Sequence, residues 1–321
     1  MHSQNVLFEL PPLTLDPVPP SDEHVRLAAE LPANISLGCM TWSFPGWIGV
    51  VYAKGTPEKV LGAHGLTAYT KNPLFRIVEL DRSYYDPIPA TAYREYADQV
   101  PDGFRLFAKA HEECTVMQFP QHARYGKKRG AHNLRFLDAA YASDAVVAPF
   151  AEGLGAKMGG LLFQFPPQDV GDPYAFAHRL HDFLRRLPKD VPYAVELRNG
   201  ELLTKDYFAA LEDTGAVHCH NQWTSMPSVL AQIKRAPPGA RRPLVIRWLL
   251  REGDKYEDAR VRYAPFNRLV AEDRDNRDAI ARLVVKAHQH GVPSFVFLDN
   301  KAEGCAPESL LRLARAIRSM L

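Results

Sequence analysis

The sequence lacks a long apolar run, a strong net charge and cysteines at paired spacing. No stretch approaches the roughly 20 consecutive apolar residues of a membrane-spanning helix, so no membrane partner is expected. The formal net charge is +2, from 39 basic and 37 acidic side chains, and this balance does not favour a strongly basic nucleic-acid-binding protein. The 4 cysteines are scattered along the chain, which indicates free thiols in a reducing cytoplasm.

Several sequence motifs are also missing. The N-terminus lacks the basic start and apolar core of a secretory signal, in keeping with a cytoplasmic location. Its prolines predict instead an extended N-terminal segment at residues 1–34, followed by a single domain at residues 35–321. The chain contains neither a glycine-rich phosphate-binding loop of the P-loop type nor a G-x-S-x-G elbow. No cofactor is predicted.

Eight apolar runs of strand length recur between longer amphipathic segments. In chain order they are residues 35–41, 74–80, 104–110, 159–165, 192–198, 215–221, 243–249 and 294–300. Helical patterns such as DPYAFAHRLHDFLRRL lie between several of them, and Gly215 and Gly291 stand where helix C-caps belong. Because strands that alternate with helices favour parallel pairing, we predict an α/β fold, a single (β/α)8 TIM-type barrel. A doubly wound open sheet is the alternative.

The runs begin with apolar residues and gain polar ones at their C-terminal ends. These polar residues are Glu79, Asp81, Lys109, His111, Gln164, Glu196, Arg198, His218, His220, Arg247, Asp299 and Asn300. In a TIM-type barrel the catalytic and ligand-binding groups come from the C-terminal ends of several strands. Two long segments, from residue 112 to about 152 and from 251 to about 274, are predicted to lie over the same barrel mouth as lids or binding loops.

Motifs along most of the chain resemble those of a known family. LGCMTWSFPGWIGVVY, VELDRSYYDPI, YAVELRN and FVFLDNKAEGCAPESLLRLARAI, in this order, are similar to the YecE-like proteins, which form a domain of unknown function. The resemblance implies a single (β/α) barrel, and the similarity of that fold to apurinic endonucleases suggests nucleic-acid binding. Asp81 stands where the family tends to have Asn, and Arg247 precedes WLL in place of a histidine-containing sequence. These departures indicate a divergent branch with another ligand.

Glu79, Lys109 and Glu196 are the candidate catalytic residues. Two carboxyl groups that converge on one pocket can act as acid and base when their surroundings separate their pKa values. Lys109 can lower the pKa of one of them, bind an anion, or act as an amine nucleophile when it is desolvated. The alternative is a buried network in which these groups and Arg198 neutralise one another.

Further strand-end residues are candidates for substrate binding. Arg198 and Arg247 suit a bidentate grip on a carboxylate or phosphate, or they pair with the glutamates. Trp42 and Tyr84 place rings beside the first two strand ends, where they stack on a sugar or base, or close the core of the barrel. The other candidates for this role are Asp81, His111, Gln164, His218, His220 and Asn300.

Two short motifs have an additional interpretation. His218 and His220 face one way across Cys219, but an H-x-H spacing alone does not complete a metal site, and no metal ligand is predicted. The basic sequence YGKKRG, at residues 125–130, either closes over a phosphate or forms a solvated loop.

Three functions fit these features. The first is a metal-independent acid–base enzyme, a hydrolase or lyase, that acts on a small polar and anionic ligand, including a phosphorylated one, at the barrel mouth. The second is a nucleic-acid-binding or endonuclease-like barrel, which the near-neutral charge disfavours. The third is a non-catalytic ligand sensor that retains the pocket. The sequence does not specify an oligomeric state.

Overall fold

The computed structural model describes residues 15–235 and 242–321. Eight parallel strands, β1 to β8, form a closed barrel in which each strand pairs with the next and β8 pairs with β1. The strands span Ile35–Cys39, Phe75–Leu80, Arg105–Lys109, Met158–Phe165, Tyr193–Leu197, Val217–Asn221, Leu244–Trp248 and Ser294–Leu298. Seven of the strands start within one residue of a predicted run, and β6 starts two residues after the start of its run, so the barrel is confirmed and the open-sheet alternative is wrong.

Helices cover the outside of the barrel. In the described part of the chain, α1 to α12 span Asp22–Glu30, Leu61–Tyr69, Arg82–Tyr85, Ala90–Asp98, Ala139–Ala142, Ala148–Leu154, Pro173–Arg186, Lys205–Thr214, Val229–Arg235, Tyr256–Tyr263, Arg274–Gln289 and Ala306–Met320. A π-helical turn at Ser143–Val147 joins α5 to α6. Within these residues, no helix is both long enough and apolar enough to cross a membrane.

Helices α7 and α8 illustrate how local sequence sets these elements. The Asp172 carboxylate accepts a hydrogen bond from the Ala175 amide at 2.9 Å and thus caps the N-terminus of α7. Along α7, Phe176, Leu180 and Phe183 are spaced so that they share one buried face. Helix α8 ends at Gly215, whose φ of 80° is the left-handed C-cap conformation that glycine adopts without strain.

The barrel interior is filled by one side chain from each of several strands. Ile77, Phe107, Leu162, Ala194, Cys219, Val245 and Phe297 belong to this inner apolar cluster. A Cβ atom at Gly159 would lie only 2.3 Å from the ring of Phe107. The glycines at the start of β4 therefore make room for the Phe107 ring inside the barrel.

The N-terminal extension is not extended throughout. Helix α1 lies within it, and Ser21 caps the helix by accepting from the His24 amide. Arg315 of α12 holds Glu23 at 2.6 Å, and Arg76 of β2 donates to the Ala28 carbonyl at 2.7 Å, so α1 is fixed against the barrel. Residues 1–14 of the predicted extended segment lie outside the described residues.

The two long segments, residues 112–152 and 251–274, were predicted as loops, but both contain short helical elements. The first holds short 3₁₀ turns at Glu112–Cys114 and Ala123–Lys128 before the chain enters α5. The second contains α10, and it contacts the 3₁₀ turn that follows β8. Both segments follow strand C-termini, as predicted.

Candidate functional site

Polar side chains from five strands meet at the C-terminal end of the barrel. Glu79, Lys109, Gln164, Glu196 and Arg247 each lie two residues after a member of the inner apolar cluster. Since alternate residues of a strand share a face, these side chains point into the barrel above the apolar layer. With Asp81 and Arg198 they form what we call the mouth cluster. The structure thus brings together the three predicted catalytic residues and four of the predicted binding residues.

Arg247 is the centre of the mouth cluster. Its side chain is only 2% exposed, and its Nη2 donates to Glu79 Oε1 at 3.0 Å. Its Nη1 donates to Glu196 Oε2 and, at 3.3 Å, to Gln164 Oε1. The sulfur of Met40 lies 3.5 Å from Nη2. A buried guanidinium needs such partners, because an isolated buried charge is very costly.

Glu196 is locked in its ionised form. Its side chain is fully buried, and Arg198 Nε donates to Oε1 at 2.8 Å while Arg247 binds the other oxygen. Burial alone would raise the pKa of Glu196, but the two guanidinium groups outweigh it and lower the pKa to about 2. Glu196 therefore does not exchange a proton near neutral pH and holds the two arginines in position.

Glu79 has the opposite environment. Burial raises its pKa to about 7, against the opposing effects of Arg247 and Lys109, and the neighbouring Asp81 carboxylate adds to the increase. For Asp81, whose side chain is 47% exposed, desolvation is outweighed by Lys109, and its pKa is lowered. Because both carboxyl groups contact the Lys109 ammonium group, the ionised Asp81 disfavours ionisation of Glu79, and Glu79 is the member of the pair that keeps a proton near neutrality.

Lys109 connects the two carboxyl groups of this pair. Its Nζ lies 2.6 Å from Asp81 Oδ1 and 3.3 Å from Glu79 Oε1. Burial would lower the pKa of Lys109, but these two carboxylates outweigh it and raise the pKa. Lys109 is therefore a cation, and the environment does not favour the predicted amine nucleophile. Tyr84 lies beside it, with the ring centroid 5.7 Å from Nζ.

The mouth cluster contains equal numbers of acidic and basic side chains. Its three acids, Glu79, Asp81 and Glu196, are matched by three bases, Lys109, Arg198 and Arg247, and each base contacts a carboxylate. The predicted neutralising network is therefore present. Within this network, Glu79 is the group whose pKa lies near neutral pH.

A cavity of about 990 Å³ opens beside the ends of β1 and β2. Its wall includes Glu79 and Asp81, together with Trp42 and Tyr96. The ring of Trp42 meets that of Tyr96 edge-on, with centroids 5.4 Å apart. The volume lies within the range of small-molecule sites in proteins. Trp42 was expected here, whereas Tyr96 lies on α4 and carries no local signal that would identify it.

Arg198 lies against an aromatic ring that the sequence analysis missed. Its guanidinium carbon is 4.0 Å from the centroid of Trp223, close enough for a cation–π contact. Trp223 follows the end of β6 in the sequence HNQWTS. An aromatic residue just after a strand end could have identified it as a candidate for the barrel mouth. The stacking fixes the orientation of Arg198, and thereby that of Glu196.

The structure does not bring His218 and His220 to the mouth cluster, contrary to the expectation that they line the pocket. Cys219 occupies the inner apolar cluster, so the histidines on either side of it face the helix layer. His218 contacts the Tyr207 hydroxyl at 2.8 Å and Gln232 Oε1 at 3.1 Å. Burial, assisted by His220, lowers the pKa of His218 to about 3 and keeps it neutral.

His111 and Asn300 also lie apart from the mouth cluster. His111 faces a separate cavity of about 670 Å³, where its Nδ1 lies 2.6 Å from the Tyr141 hydroxyl. Asn300 accepts hydrogen bonds through Oδ1 from the Trp47 indole at 3.0 Å and from the Ala306 amide at 2.9 Å. Asn300 thus joins the β1 loop to the start of α12.

The stretch at residues 124–135, which we call the basic segment, lies over the second cavity and pairs with two glutamates. Arg124 lies 2.5 Å from Glu112, whereas Lys128 and Arg135 lie 2.5 and 2.7 Å from Glu113. Both glutamates are nine-tenths buried beneath the segment. Of the cations in YGKKRG, for which a phosphate-closing loop and a solvated loop were the two interpretations, Lys128 is thus paired with a carboxylate.

A metal site requires several converging ligands. Among residues 15–235 and 242–321, no group of three or more His, Cys, Asp or Glu side chains is arranged to hold a metal ion. The acids of the mouth cluster are instead occupied by cationic side chains.

Comparisons with known proteins identify the same fold. A family described as protein of unknown function DUF72 matches residues 36–320. A DUF72 family protein from Thermotoga maritima MSB8 is 17% identical, with a TM-score of 0.58, over 88% of this chain and 98% of that one. A DUF72 family protein from Enterococcus faecalis V583 is 18% identical, with a TM-score of 0.57, over 88% and 95%.

An AP endonuclease, family 2, from Brucella melitensis has 13% identity and a TM-score of 0.43, over 75% of this chain and 88% of that one. A similarity this low provides no evidence about function. No curated protein matches the chain.

Proposed function

The chain belongs to the DUF72 family, and we propose that it is an acid–base enzyme whose reaction takes place at Glu79, in the C-terminal mouth of the barrel. The reaction is of the hydrolase or lyase class and acts on a small polar ligand. The observation that carries the proposal is the position of Glu79, a buried carboxyl group that lies in the wall of a large cavity and contacts both Lys109 and Arg247.

In this proposal Glu79 transfers the proton. A general acid or base works best when its pKa lies near the working pH, and a pKa of about 7 meets this condition. Lys109 holds Asp81 beside Glu79 and stabilises whichever of the two carboxyl groups is ionised. This arrangement needs no metal ion to set the proton affinity of Glu79.

Glu196 and Arg247 are positioning residues. Glu196 remains ionised and therefore does not act as the acid. The pair of carboxyl groups with different pKa values is instead Glu79 and Asp81. Arg247 contacts both glutamates from β7 and fixes the carboxyl group of Glu79 against the cavity. Arg198 contacts Glu196 and donates to Gln164, and so extends the same network away from Glu79.

Substitution of Glu79 tests the proposal. Purified protein is incubated with an extract of polar metabolites, and conversion is followed by mass spectrometry. We expect Glu79→Gln to reduce turnover by roughly 10²- to 10⁴-fold, as loss of a general acid or base typically does. The control is Glu152→Gln, which removes an exposed carboxylate on α6 that pairs with Arg94 at the surface. Full turnover by Glu79→Gln would refute the proposal.

Two other functions predict different results, each in its own measurement. A ligand sensor would retain a metabolite through native mass spectrometry without converting it. A nucleic-acid-binding barrel would bind oligonucleotides with an affinity that falls steeply as salt rises. The pairing of the basic segment with Glu112 and Glu113 disfavours the second of these alternatives.

A further inference from the structure

Arg198 is a base of the mouth cluster that retains unused hydrogen-bond donors. A guanidinium group carries five N–H donors in a fixed planar arrangement. The donor on Nε binds Glu196 Oε1 at 2.8 Å, and one donor on Nη2 binds Gln164 Oε1 at 3.1 Å. Nη1 makes no hydrogen bond with the residues that the structure describes. Both donors of Nη1 and the second donor of Nη2 therefore remain for a ligand.

These free donors point out of the barrel. In a trigonal guanidinium group, Nη1 lies directly opposite the edge that Nε and Nη2 form. That edge faces Glu196 and Gln164, whose side chains point into the barrel, so Nη1 faces the opening of the mouth. Nη1 is also accessible to solvent, unlike the Nε atom of Arg247, which protein atoms enclose. The Trp223 ring, with its centroid 4.0 Å from the guanidinium carbon, holds the group in this orientation.

The other two bases of the mouth cluster offer no comparable free edge. The side chain of Arg247 is only 2% exposed, and both of its Nη atoms already contact carboxyl groups. Lys109 is as exposed as Arg198, at 13%, but its ammonium group is shared between Asp81 and Glu79. Arg198 is therefore the cation of the cluster that best suits a ligand.

The Tyr84 hydroxyl is a second free group at the same opening. It makes no hydrogen bond in the described part of the chain, and protein atoms do not enclose it. Burial and the nearby Glu112 carboxylate raise the pKa of Tyr84, whereas the guanidinium groups of Arg198 and Arg124 oppose this increase. The hydroxyl therefore keeps its proton and lies near Arg198, where it can donate to a ligand bound there.

The charge of the mouth cluster favours an anion while Glu79 is protonated. The pKa of Glu79 is about 7, and below this pH the three bases face only two carboxylates, those of Asp81 and Glu196. One positive charge is then left without a counterion. A carboxylate matches this single charge, and its two oxygens match the parallel N–H donors at the Nη1–Nη2 edge of a guanidinium group. A phosphate group carries up to two negative charges and would exceed it.

We infer that the Nη1–Nη2 edge of Arg198 and the Tyr84 hydroxyl bind the carboxylate group of a small monocarboxylate compound. The carboxylate accepts two hydrogen bonds from the guanidinium group and one from Tyr84. Trp223 is a positioning residue, because it holds the guanidinium group with this edge outward. The inference rests on the proposed function only in treating the compound as the substrate of the reaction at Glu79.

Binding of matched acids and amides tests the ligand class without requiring turnover. Calorimetry and saturation-transfer NMR are carried out just below neutral pH with propionate, lactate and benzoate, each beside its neutral amide, and with inorganic phosphate. We expect saturable binding of at least one carboxylate, about 10- to 100-fold tighter than that of its amide, the effect of hydrogen bonds to a charged group. Equal binding of acid and amide, tighter binding of phosphate than of every carboxylate, or no saturable binding of any carboxylate overturns the inference.

A matched pair of variants tests the free edge of Arg198. Arg198→Lys keeps a positive charge beside Glu196 but removes the planar edge, and we expect it to weaken carboxylate binding by about 10- to 100-fold. Arg262→Lys is the control, because Arg262 also pairs with a carboxylate, that of Asp254 at 3.0 Å, and also lies over a ring, that of Tyr263. Equal losses of affinity in the two variants would overturn the inference.

A second pair guards against an indirect effect of Arg198→Lys on folding. Tyr84→Phe removes only the hydroxyl and keeps the ring whose centroid lies 5.7 Å from the Lys109 ammonium nitrogen. We expect it to weaken carboxylate binding by about three- to tenfold, the effect of one hydrogen bond, with an unchanged midpoint of urea unfolding. Tyr85→Phe, which removes the hydroxyl of the exposed neighbouring ring, should bind as the parent does. Parent-like binding by Tyr84→Phe would overturn the inference.

The two proposals fail in different ways. Arg198-dependent binding of a carboxylate, together with turnover that does not require Glu79, refutes the proposed reaction alone. Glu79-dependent turnover of a metabolite that has no carboxylate group refutes the ligand class alone.

Discussion

The guanidinium of Arg247 and the carboxyl group of Glu79 meet 3.0 Å apart, although one lies on β7 and the other on β2. Only closure of the barrel brings these two strands within side-chain reach of each other. The same guanidinium also binds Glu196 of β5, so that one cation ties three separate strands together at the mouth. The network therefore contributes to folding as well as to the proposed chemistry.

Removal of Arg247 should destabilise the fold strongly. Arg247→Met leaves the buried carboxyl groups of Glu79 and Glu196 without their shared cation, and loss of one partner from such a network costs about 3–5 kcal/mol. Urea unfolding at neutral pH measures the effect. Arg198→Met is the control, because Glu196 then keeps Arg247, and we expect a smaller loss. Equal stability of the two variants would show that Arg247 does not hold the network.

Glu79 should make stability depend on pH between 4.5 and 7. Its pKa rises from 4.5 to about 7 on folding, so the folded state keeps a proton that the unfolded state has released. Stability therefore falls as the pH rises through this window. In urea unfolding at the two ends of the window, we expect this contribution to disappear in Glu79→Gln. An infrared carboxyl band that titrates near pH 7 in the parent and is missing from the variant gives an independent check.

The barrel was predictable from sequence, but the assignment of side chains to its two faces was only partly so. In β5, the inner residues Ala194 and Glu196 alternate with apolar outer residues, and the polar end is unambiguous. In β6, the sequence VHCHN places two histidines on one face and Val217, Cys219 and Asn221 on the other, so neither face is wholly apolar. Alternation shows that His218 and His220 share a face, but the register with β5 and β7 decides which face is inside.

Other features depend on contacts that local sequence does not encode. Tyr96 reaches Trp42 from a helix that follows a different strand, and periodicity places it on α4 without indicating a pocket. Arg124 forms an ion pair with Glu112, although the backbone between these two residues is mostly irregular. Long-range pairing of this kind is set by the tertiary structure, so the sequence could supply the groups but not their partners.

His218 should contribute to stability and not to ligand binding. His218→Phe keeps a flat ring between the same neighbours but removes the 2.8 Å contact with the Tyr207 hydroxyl, which then has the Val195 carbonyl at 3.5 Å, at an expected cost of about 1–3 kcal/mol at neutral pH. The pKa of His218 falls from 6.5 to about 3 on folding, so its contribution is present above pH 6.5 and is lost as the pH falls towards 3. Urea unfolding across this range should show a shallower acid loss in the variant.

The same variant should retain the binding properties of the parent. Because His218 faces the helix layer, we expect ligand affinity and any turnover to remain unchanged in folded His218→Phe protein. A variant of unaltered stability that no longer binds the parent's ligand would contradict this assignment and restore the histidine to the pocket.

The glutamates beneath the basic segment should suppress binding to nucleic acid. Glu112 and Glu113 pair with Arg124, Lys128 and Arg135, so these cations are not free to replace counterions on phosphates. We expect the parent protein to bind a labelled DNA duplex weakly, with little dependence on salt. The double variant Glu112→Gln/Glu113→Gln releases three cations, and its log K against log [salt] should steepen by up to about 3, at roughly 0.9 per phosphate contact.

Fluorescence anisotropy at several salt concentrations measures both slopes, with circular dichroism to show that the double variant is folded. Glu152→Gln provides the control, since its surface pair with Arg94 lies outside the basic segment. Tight, steeply salt-dependent binding by the parent would favour the nucleic-acid alternative, because it would mean that the phosphates outcompete Glu112 and Glu113. Weak binding by the parent that strengthens only in the double variant would instead identify these glutamates as the reason the basic segment does not serve as a phosphate site.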